Sequence, residues 1–472
     1  MQNYNTNQFN LQFALQHCGK FCFDTRLIKQ GDVFIALNGS DQKQDGHSYI
    51  EQAISQGAAF CIVKNSYKTT DVTLEKHLIY CLDEDILTSV SKVAKDKILY
   101  YKNHGTKVLA ITGSVGKTTT KNFAKFCLEK LGVSCYATHG NYNNHIGLPY
   151  TILQSPIEAQ FVVLEMGMDK PLEIKHLTHI AHPHIAIITA IGESHLQNFS
   201  STKQIAFAKG ECIELTPLTI VPQNISHLST LKQIAAEHKN KIRHPSFRLA
   251  KYNVAEQKTM FNIKCGIFTI ASIALSRPIT EQYLQNLLLV LQALKILGIK
   301  INKQFFAKIN FDEFFNGTHL KGRGQWVKGF AQNYELTIID ESYNASPTSM
   351  KNALKNLQLL QNNSCGVILG DMLELGPEEI KMHEDLAEHI LKTTPNFVAL
   401  VGDRMLHLHK KLAKTMSNNL FYFANHQQLL EPQNISAINE HLNKNNIKFL
   451  LIKSSNSTKL TKIVEYFTAS GC

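Results

Sequence analysis

The stretch that most constrains this chain is Ile111-Thr-Gly-Ser-Val-Gly-Lys-Thr-Thr-Thr120. An apolar strand runs into two glycines three residues apart, and Lys-Thr-Thr then opens a helix. Glycine lets the backbone curl so that successive N–H groups face an anion, and the helix N-terminus adds partial positive charge. In such a turn Gly113, Ser114, Val115 and Gly116 cradle phosphates, with Thr119 in the same first helical turn. Lys117 reaches the β- and γ-phosphates of a nucleotide, and the Thr118 hydroxyl holds Mg²⁺. The usual pattern has a glycine where Ile111 stands, so the loop is a variant. A chance Gly-x-x-Gly-Lys-Thr turn is the competing reading. The strand before the loop and the helix after it weigh against chance.

A chain of 472 residues is too long for one ordinary core, so two to four domains are expected. Three blocks emerge. Residues 1–103 hold strand-like pieces at 33–37 and 59–63, a helical stretch at 49–56 and a polar helix at 88–102. His104-Gly105 reads as a linker. Residues 104–322 start with the strand 107–112 and the helix 119–131, continue with apolar strands at 161–164 and 184–189, and end near a long apolar helix at 284–297. Strands apolar along their whole length, alternating with helices, predict a parallel sheet covered on both faces. The pattern changes near Gly322 and Gly324. In residues 323–472, short buried-type strands at 336–339, 366–369, 397–401 and 449–452 predict a smaller doubly wound unit. The expected class is α/β, with a central phosphate-loop parallel-sheet domain and a Rossmann-like C-terminal domain.

Composition narrows the partners. With 44% hydrophobic and 18% charged residues the chain reads as globular. No apolar run reaches the roughly 18 to 20 residues of a membrane helix. Residues 1–15 are Asn/Gln-rich and lack a basic flank followed by an apolar stretch, so no signal peptide is expected and a cytoplasmic location follows. The ten cysteines form no Cys-x-x-Cys pair, and Cys18 and Cys22 have no second pair to complete a zinc site, so reduced thiols are expected. A formal charge of +11 points to anionic partners. Because the lysines are scattered, without a run or an aromatic-interleaved patch, polyphosphates fit better than nucleic acid.

A metal at the loop needs more acid than one threonine. Phe161-Val-Val-Leu-Glu165 is a buried-type strand ending in a carboxylate, which puts Glu165 beside the nucleotide. The segment Gly192-Glu-Ser-His195 puts His195 at the end of the next strand, and ligands of open parallel sheets gather outside those ends. Singly, Glu165 could be a surface acid and His195 a structural histidine. Together with the loop they read as Mg²⁺ ligands.

Further segments carry a resemblance. Gly113-Ser-Val-Gly-Lys-Thr-Thr, Gly140-Asn-Tyr-Asn-Asn-His-Ile-Gly-Leu-Pro149, Glu165-Met-Gly, Ser194-His-Leu and Ala208-Lys-Gly-Glu211 resemble the Mur ligase family. So do Ile339-Asp-Glu-Ser-Tyr-Asn-Ala-Ser-Pro347 and Leu369-Gly-Asp-Met-Leu-Glu-Leu-Gly376, together with Asp24-Thr-Arg26, Phe34-Ile-Ala-Leu37 and Asp45-Gly-His47. Within the family the likeness is greatest to the member that adds D-alanyl-D-alanine to UDP-N-acetylmuramoyl-tripeptide, and it spans nearly the whole chain.

The resemblance implies three domains, holding the UDP part of the substrate, ATP, and a closing C-terminal lobe. It implies ATP-dependent amide ligation through an acyl phosphate, with ATP, two Mg²⁺ ions and Lys209 as a carbamylated lysine. An ordinary helix-surface lysine is the other reading of Lys209. Asn286 and Arg323 match positions near the adenine and the γ-phosphate, while Asp340 and Tyr343 match an interdomain nucleotide site. Thr25, Arg26, His47, Asn143, Asn144, Asn344 and His383 match substrate positions, though turn or capping roles fit several of them. Lys117, Lys209 and His195 are the implied catalytic residues, and a monomer without nucleic acid or a membrane span is expected. Two departures stand out: Gln282 where the family often has His, and Lys453-Ser-Ser-Asn456 where it often has Lys-Gly-Ser-Arg. The Asp-Asn-Pro-Arg motif of the diaminopimelate-adding relative is absent, with Tyr343-Asn-Ala-Ser-Pro in its place.

Two rivals are weighed. A folate polyglutamate synthase would use the same chemistry, but the block 24–63 and the Glu-Ser-Tyr-Asn-Ala-Ser-Pro run disfavour it. A nucleotide-sensing scaffold would need no metal acid, no Lys209 and no second substrate domain.

Overall fold

The computed structural model describes residues 8–39, 45–255, 258–317, 321–360, 364–416 and 418–469. Residues 1–7 of the Asn/Gln-rich start and the Gln282 side chain lie outside it. Strands Lys107–Thr112 and Phe397–Val401 have the expected bounds, and the other expected strands differ by at most two residues at either end.

The first sheet pairs β1 (Phe21–Cys22), β2 (Val33–Ile35), β3 (Phe60–Val63) and β4 (Leu78–Tyr80) in sequence order, all parallel. The second is also parallel and contains β5 (Lys107–Thr112), β6 (Cys135–Ala137), β7 (Phe161–Glu165), β8 (Ile185–Ile188), β9 (Leu218–Ile220) and β10 (Lys241–Arg243), in the order β10-β9-β8-β5-β7-β6. β5 therefore lies between β7 and β8, with Ile111 opposite Glu165 and Thr112 opposite Ile188. That adjacency brings the phosphate loop, Glu165 and the segment after β8 to one edge of the sheet.

Alternate residues of β5 serve two cores. Val108 and Ala110 belong to one, and Leu109 and Ile111 to the other. The first core runs without a break into the N-terminal block through Ile98 and Tyr101 of helix Ile86–Asn103. The expected linker is accordingly a tight turn: the N–H of His104 bonds to Tyr100 and Tyr101 carbonyls, and Gly105 has φ 96°. Docking is polar as well. Lys97 Nζ donates to the carbonyls of Leu153 at 2.5 Å and Ser155 at 3.0 Å, and Tyr101 Oη also donates to Ser155. Those carbonyls end helix Gly147–Gln154, where a cation suits the negative dipole end. Burial pushes the Lys97 amine down to about 8.

An antiparallel three-stranded sheet, β11 (Phe247–Ala255), β12 (Lys258–Cys265) and β13 (Phe268–Leu275), covers the second core together with helix Glu281–Ile296. This sheet was not expected from the sequence.

The C-terminal sheet comprises β14 (Gln325–Ala331), β15 (Tyr334–Glu341), β16 (Cys365–Gly370), β17 (Phe397–Val401), β18 (Leu420–Phe423) and β19 (Phe449–Lys453), in the order β14-β15-β19-β16-β17-β18. Only β14 is antiparallel, as an edge hairpin with β15. Cores on both faces make it the doubly wound unit expected. The described cysteines are free thiols, and among the described residues no helix is long and apolar enough to cross a membrane.

Candidate active site

A cavity of about 1180 Å³ lies where the C-terminal ends of the central sheet face the C-terminal sheet. Its lining runs from Ser114–Lys117 to Arg323, Tyr343 and Lys453, so both units build it.

The loop has the conformation its glycines suggest. Gly113 has φ 145°, and a Cβ there would lie 2.0 Å from Thr189 Oγ1. Gly116 has φ 88°, and a Cβ there would meet Asn286 Nδ2 at 2.7 Å. Each position thus needs glycine for its backbone angle and for its close neighbour. Ser114 Oγ donates to Gly192 O at 3.1 Å and accepts from Gly192 N at 2.9 Å, tying the loop to the segment after β8. Lys117 Nζ donates to Gly113 O at 2.8 Å. Burial lowers its amine below the ordinary lysine range, while Glu165 raises it in part.

Glu165 is 1% exposed. Its Oε1 accepts from Thr118 Oγ1 at 3.1 Å and from Asn143 Nδ2 at 2.8 Å, whereas its buried Oε2 accepts no hydrogen bond. A buried carboxylate oxygen left open beside a threonine hydroxyl is a hard donor set that fits Mg²⁺. His195 adopts φ 59°, and its Nδ1 lies 2.6 Å from Glu374 Oε2 and 3.1 Å from Asp169 Oδ1. Glu374 comes from the loop after β16, so this cluster joins the two units. A left-handed histidine is a sparsely populated conformation that clusters at functional sites.

Lys209 is 1% exposed, which rules out the surface-lysine reading. Its amine is held well below the ordinary lysine range, by burial first and by Lys117 second. Neighbouring Glu211 accepts from the backbone N–H groups of Leu172 and Lys175, fixing helix Thr202–Leu215 against the segment after β7.

The remaining candidates divide. Asn286 abuts the loop at Gly116, and the Arg323 guanidinium lies 4.0 Å from the centre of the Tyr343 ring. Asn344 also lines the cavity. Asn144 lines it too, although its Oδ1 accepts from the backbone N–H groups of Ile146 and Gly147. Asp340 does not line it. Its carboxylate is taken up by Gly322 N, Ser342 N and Ser342 Oγ, so it fixes the turn beneath Tyr343. His383 is fully buried, with Nε2 accepting from Met372 N and Nδ1 on Glu379 O, a brace under the loop that carries Glu374. Thr25, Arg26 and His47 lie on the N-terminal block outside this cavity. Arg26 is paired with Asp24, and His47 contacts Asp45 and accepts from Lys64 N.

Sequence reasoning missed several groups. Asp169 and Glu374 sit in loops that converge only in three dimensions. Lys453, in the departing Lys-Ser-Ser-Asn segment, bridges Glu341 Oε2 and Asn344 O, both at 2.9 Å. Thr348 Oγ1 donates to Glu193 Oε2 at 2.6 Å, a further contact between the two units. Asp169 left a signal as an acid four residues beyond Glu165 in the strand-exit loop, while Glu193, Glu374 and Lys453 stood inside motif segments without being singled out.

A phosphate loop beside a buried carboxylate with an open oxygen, facing a second doubly wound unit across one cavity, defines a nucleotide-dependent enzyme built from two lobes. Residues 111–293 match the Mur ligase middle domain, and residues 322–448 match the Mur ligase glutamate ligase domain. The UDP-N-acetylmuramoyl-tripeptide--D-alanyl-D-alanine ligase of Rickettsia prowazekii is 32% identical over 467 residues, covering 96% of this chain and 95% of that one. The Bacillus subtilis ligase of the same name is 33% identical, covering 94% and 91%. A crystal structure of MurF from Acinetobacter baumannii has the same fold, with a TM-score of 0.80 at 23% identity over 97% of both chains. The chain belongs to the Mur ligase family.

Proposed function

We propose that this enzyme joins D-alanyl-D-alanine to UDP-N-acetylmuramoyl-tripeptide, using ATP, in the cytoplasmic synthesis of peptidoglycan precursor. The observation that carries the reading is the single cavity onto which the phosphate loop, Glu165 and the C-terminal Arg323, Tyr343 and Lys453 all open. Relatives of that name align with nearly the whole chain, N-terminal block included.

A carboxylate is a poor electrophile, so the tripeptide carboxylate takes the γ-phosphoryl group of ATP, giving an acyl phosphate and ADP. The dipeptide amine then attacks the acyl carbon, and phosphate leaves as the amide forms. Several anions meet along this course, and fixed cations carry most of the stabilisation. Lys117 faces the phosphates from the loop, and Arg323, stacked on Tyr343, approaches from the other lobe. Thr118, Glu165 and His195 would hold Mg²⁺, which would supply charge neutralisation there. Lys209 contributes as a carbamate, and Asn143, Asn144 and Asn344 contact the peptide parts. Residues 1–103, with Thr25, Arg26 and His47, hold the UDP moiety; residues 104–322 hold ATP; residues 323–472 close over both.

Purified protein with ATP and Mg²⁺ should release phosphate only when both the UDP-sugar tripeptide and D-alanyl-D-alanine are present. Release with either substrate alone, or ligation of glutamate to a folate instead, overturns the assignment. A panel with a diamino acid or lysine third residue fixes the acceptor. Glu165→Ala and His195→Ala are each expected to cost more than about tenfold in Mg²⁺-dependent activity. Wild-type Mg²⁺ titration curves in both variants would remove them from the metal site.

A further inference from the structure

Lys121 stands one helical turn beyond Lys117 on helix Lys117–Lys130, hence on the same side of that helix. It is 3% exposed, an unusual place for a lysine. Its Nζ donates to Thr138 O at 2.7 Å and Gly140 O at 3.5 Å, and it lies 3.7 Å from Glu165 Oε2. That last separation is too long for a hydrogen bond but short enough for strong attraction in a buried setting. The lysine therefore balances the carboxylate charge from beyond hydrogen-bond distance of its open oxygen, while two of its three N–H groups go to backbone carbonyls.

Those carbonyls belong to the loop that leads to Asn143. The loop is fastened to Glu165 twice more: Glu165 N donates to Thr138 Oγ1 at 2.9 Å, and Asn143 Nδ2 donates to Glu165 Oε1. One ammonium thus joins the phosphate-loop helix, the carboxylate at the end of β7 and the segment that lines the peptide side of the cavity.

We propose that Lys121 is the internal counterion of Glu165 and a positioning residue, holding that carboxylate aimed and uncapped for the metal. The positioning half rests on the reading of Glu165 as a metal ligand; the counterion half does not.

Thermal unfolding of metal-free, nucleotide-free protein tests the counterion through a double-mutant cycle of Lys121→Met and Glu165→Gln. Removing one partner of a buried pair strands the other charge. Lys121→Met is therefore expected to lower Tm by several degrees beside Glu165 and clearly less beside Gln at that position. Equal shifts in both backgrounds overturn the counterion role. Should Lys121→Met fail to fold, the double variant is expected to fold, and its failure as well would overturn the role.

Mn²⁺ binding to the ADP-loaded protein, followed by electron paramagnetic resonance, tests the positioning. Loss of an outer-shell partner weakens metal affinity by about tenfold or more, and that is the shift expected for Lys121→Met. Simple loss of a repelling positive charge would tighten binding instead, so unchanged or tighter Mn²⁺ binding overturns the positioning role. Unchanged Mn²⁺ affinity in Glu165→Gln removes Glu165 from the metal site and the positioning role with it, while the unfolding cycle separately reports the counterion.

Discussion

Lys117→Ala is expected to lower ATP-dependent ligation by about 10³-fold or more while the protein remains folded. The lysine amine rests on Gly113 O at the mouth of the loop, in a site whose burial already disfavours its charge. An arriving polyphosphate would give that charge a far stronger partner than a carbonyl, so the amine is expected to move onto the β- and γ-oxygens. Negative charge spreads over the γ-phosphoryl oxygens as the bond to ADP breaks, so the contact strengthens toward the transition state. An interaction realised mainly there lowers kcat and kcat/KM together when removed. The loop backbone itself is held by Ser114 with Gly192 and by Thr189 with Val115, neither of which involves Lys117. Steady-state phosphate release, beside an unfolding curve that matches the wild type, checks the result. Near-normal turnover in folded Lys117→Ala would sink the phosphate-loop assignment.

The parts of this site that could be read in the sequence share a physical reason. A turn between an apolar strand and a helix has few solutions, so Gly113, Gly116, Lys117 and Thr118 declare their geometry locally. Glu165 and His195 could be placed because parallel strands end on one side of a sheet. Elsewhere the signal is weaker. The sheet β11–β13 was missed because its strands are only half buried: Phe247, Phe261 and Ile263 point into a core while Lys251, Met260 and Ser272 face out. The single interior tight turn described there, at Gly266 with φ 60°, gives little warning. Convergent groups were hidden for another reason. Asp169, Glu374 and Lys121 lie on three different segments, and only the strand orders of two sheets bring the first two to His195. Asp340 and His383 show the converse case, since both stand in motif segments yet direct their polar atoms at groups beneath the cavity.

The N-terminal block illustrates a limit of composition. Its helix Ile86–Asn103, read as polar from the sequence, buries Ser89, Lys97 and Tyr101. Lys97 is buried because the carbonyls ending helix Gly147–Gln154 need donors, a demand made by a segment nearly sixty residues away and invisible in the local pattern. One core through both units gives helix Gly147–Gln154 a fixed seat. At that helix's start lies the Asn143–Asn144 turn of the cavity, so the N-terminal block also steadies the site.

The largest loss is expected at Lys209, whose variant Lys209→Ala should retain almost no ligation. A lysine adds CO₂ through its neutral amine, forming an N–C bond and releasing one proton, and the product is an anion. An ordinary lysine is protonated near neutrality and reacts poorly. Here burial, and then Lys117, hold the amine well below its usual range, which favours the neutral form over the ammonium. Carbamylation would also reverse the sign of the local charge: an ammonium buried near Lys117 would repel both that lysine and a bound Mg²⁺, whereas a carbamate would attract them. Bound Mg²⁺ would in turn stabilise the labile adduct. Chemical rescue separates this account from a purely structural one. Formate or acetate can occupy the space vacated in Lys209→Ala and restore part of the activity, whereas a packing defect would not respond to either. Lys209→Arg keeps a cation but cannot form the carbamate in this way, and it is expected to be as inactive as the alanine variant. Wild-type ligation by Lys209→Arg would show that the buried amine acts as a plain cation.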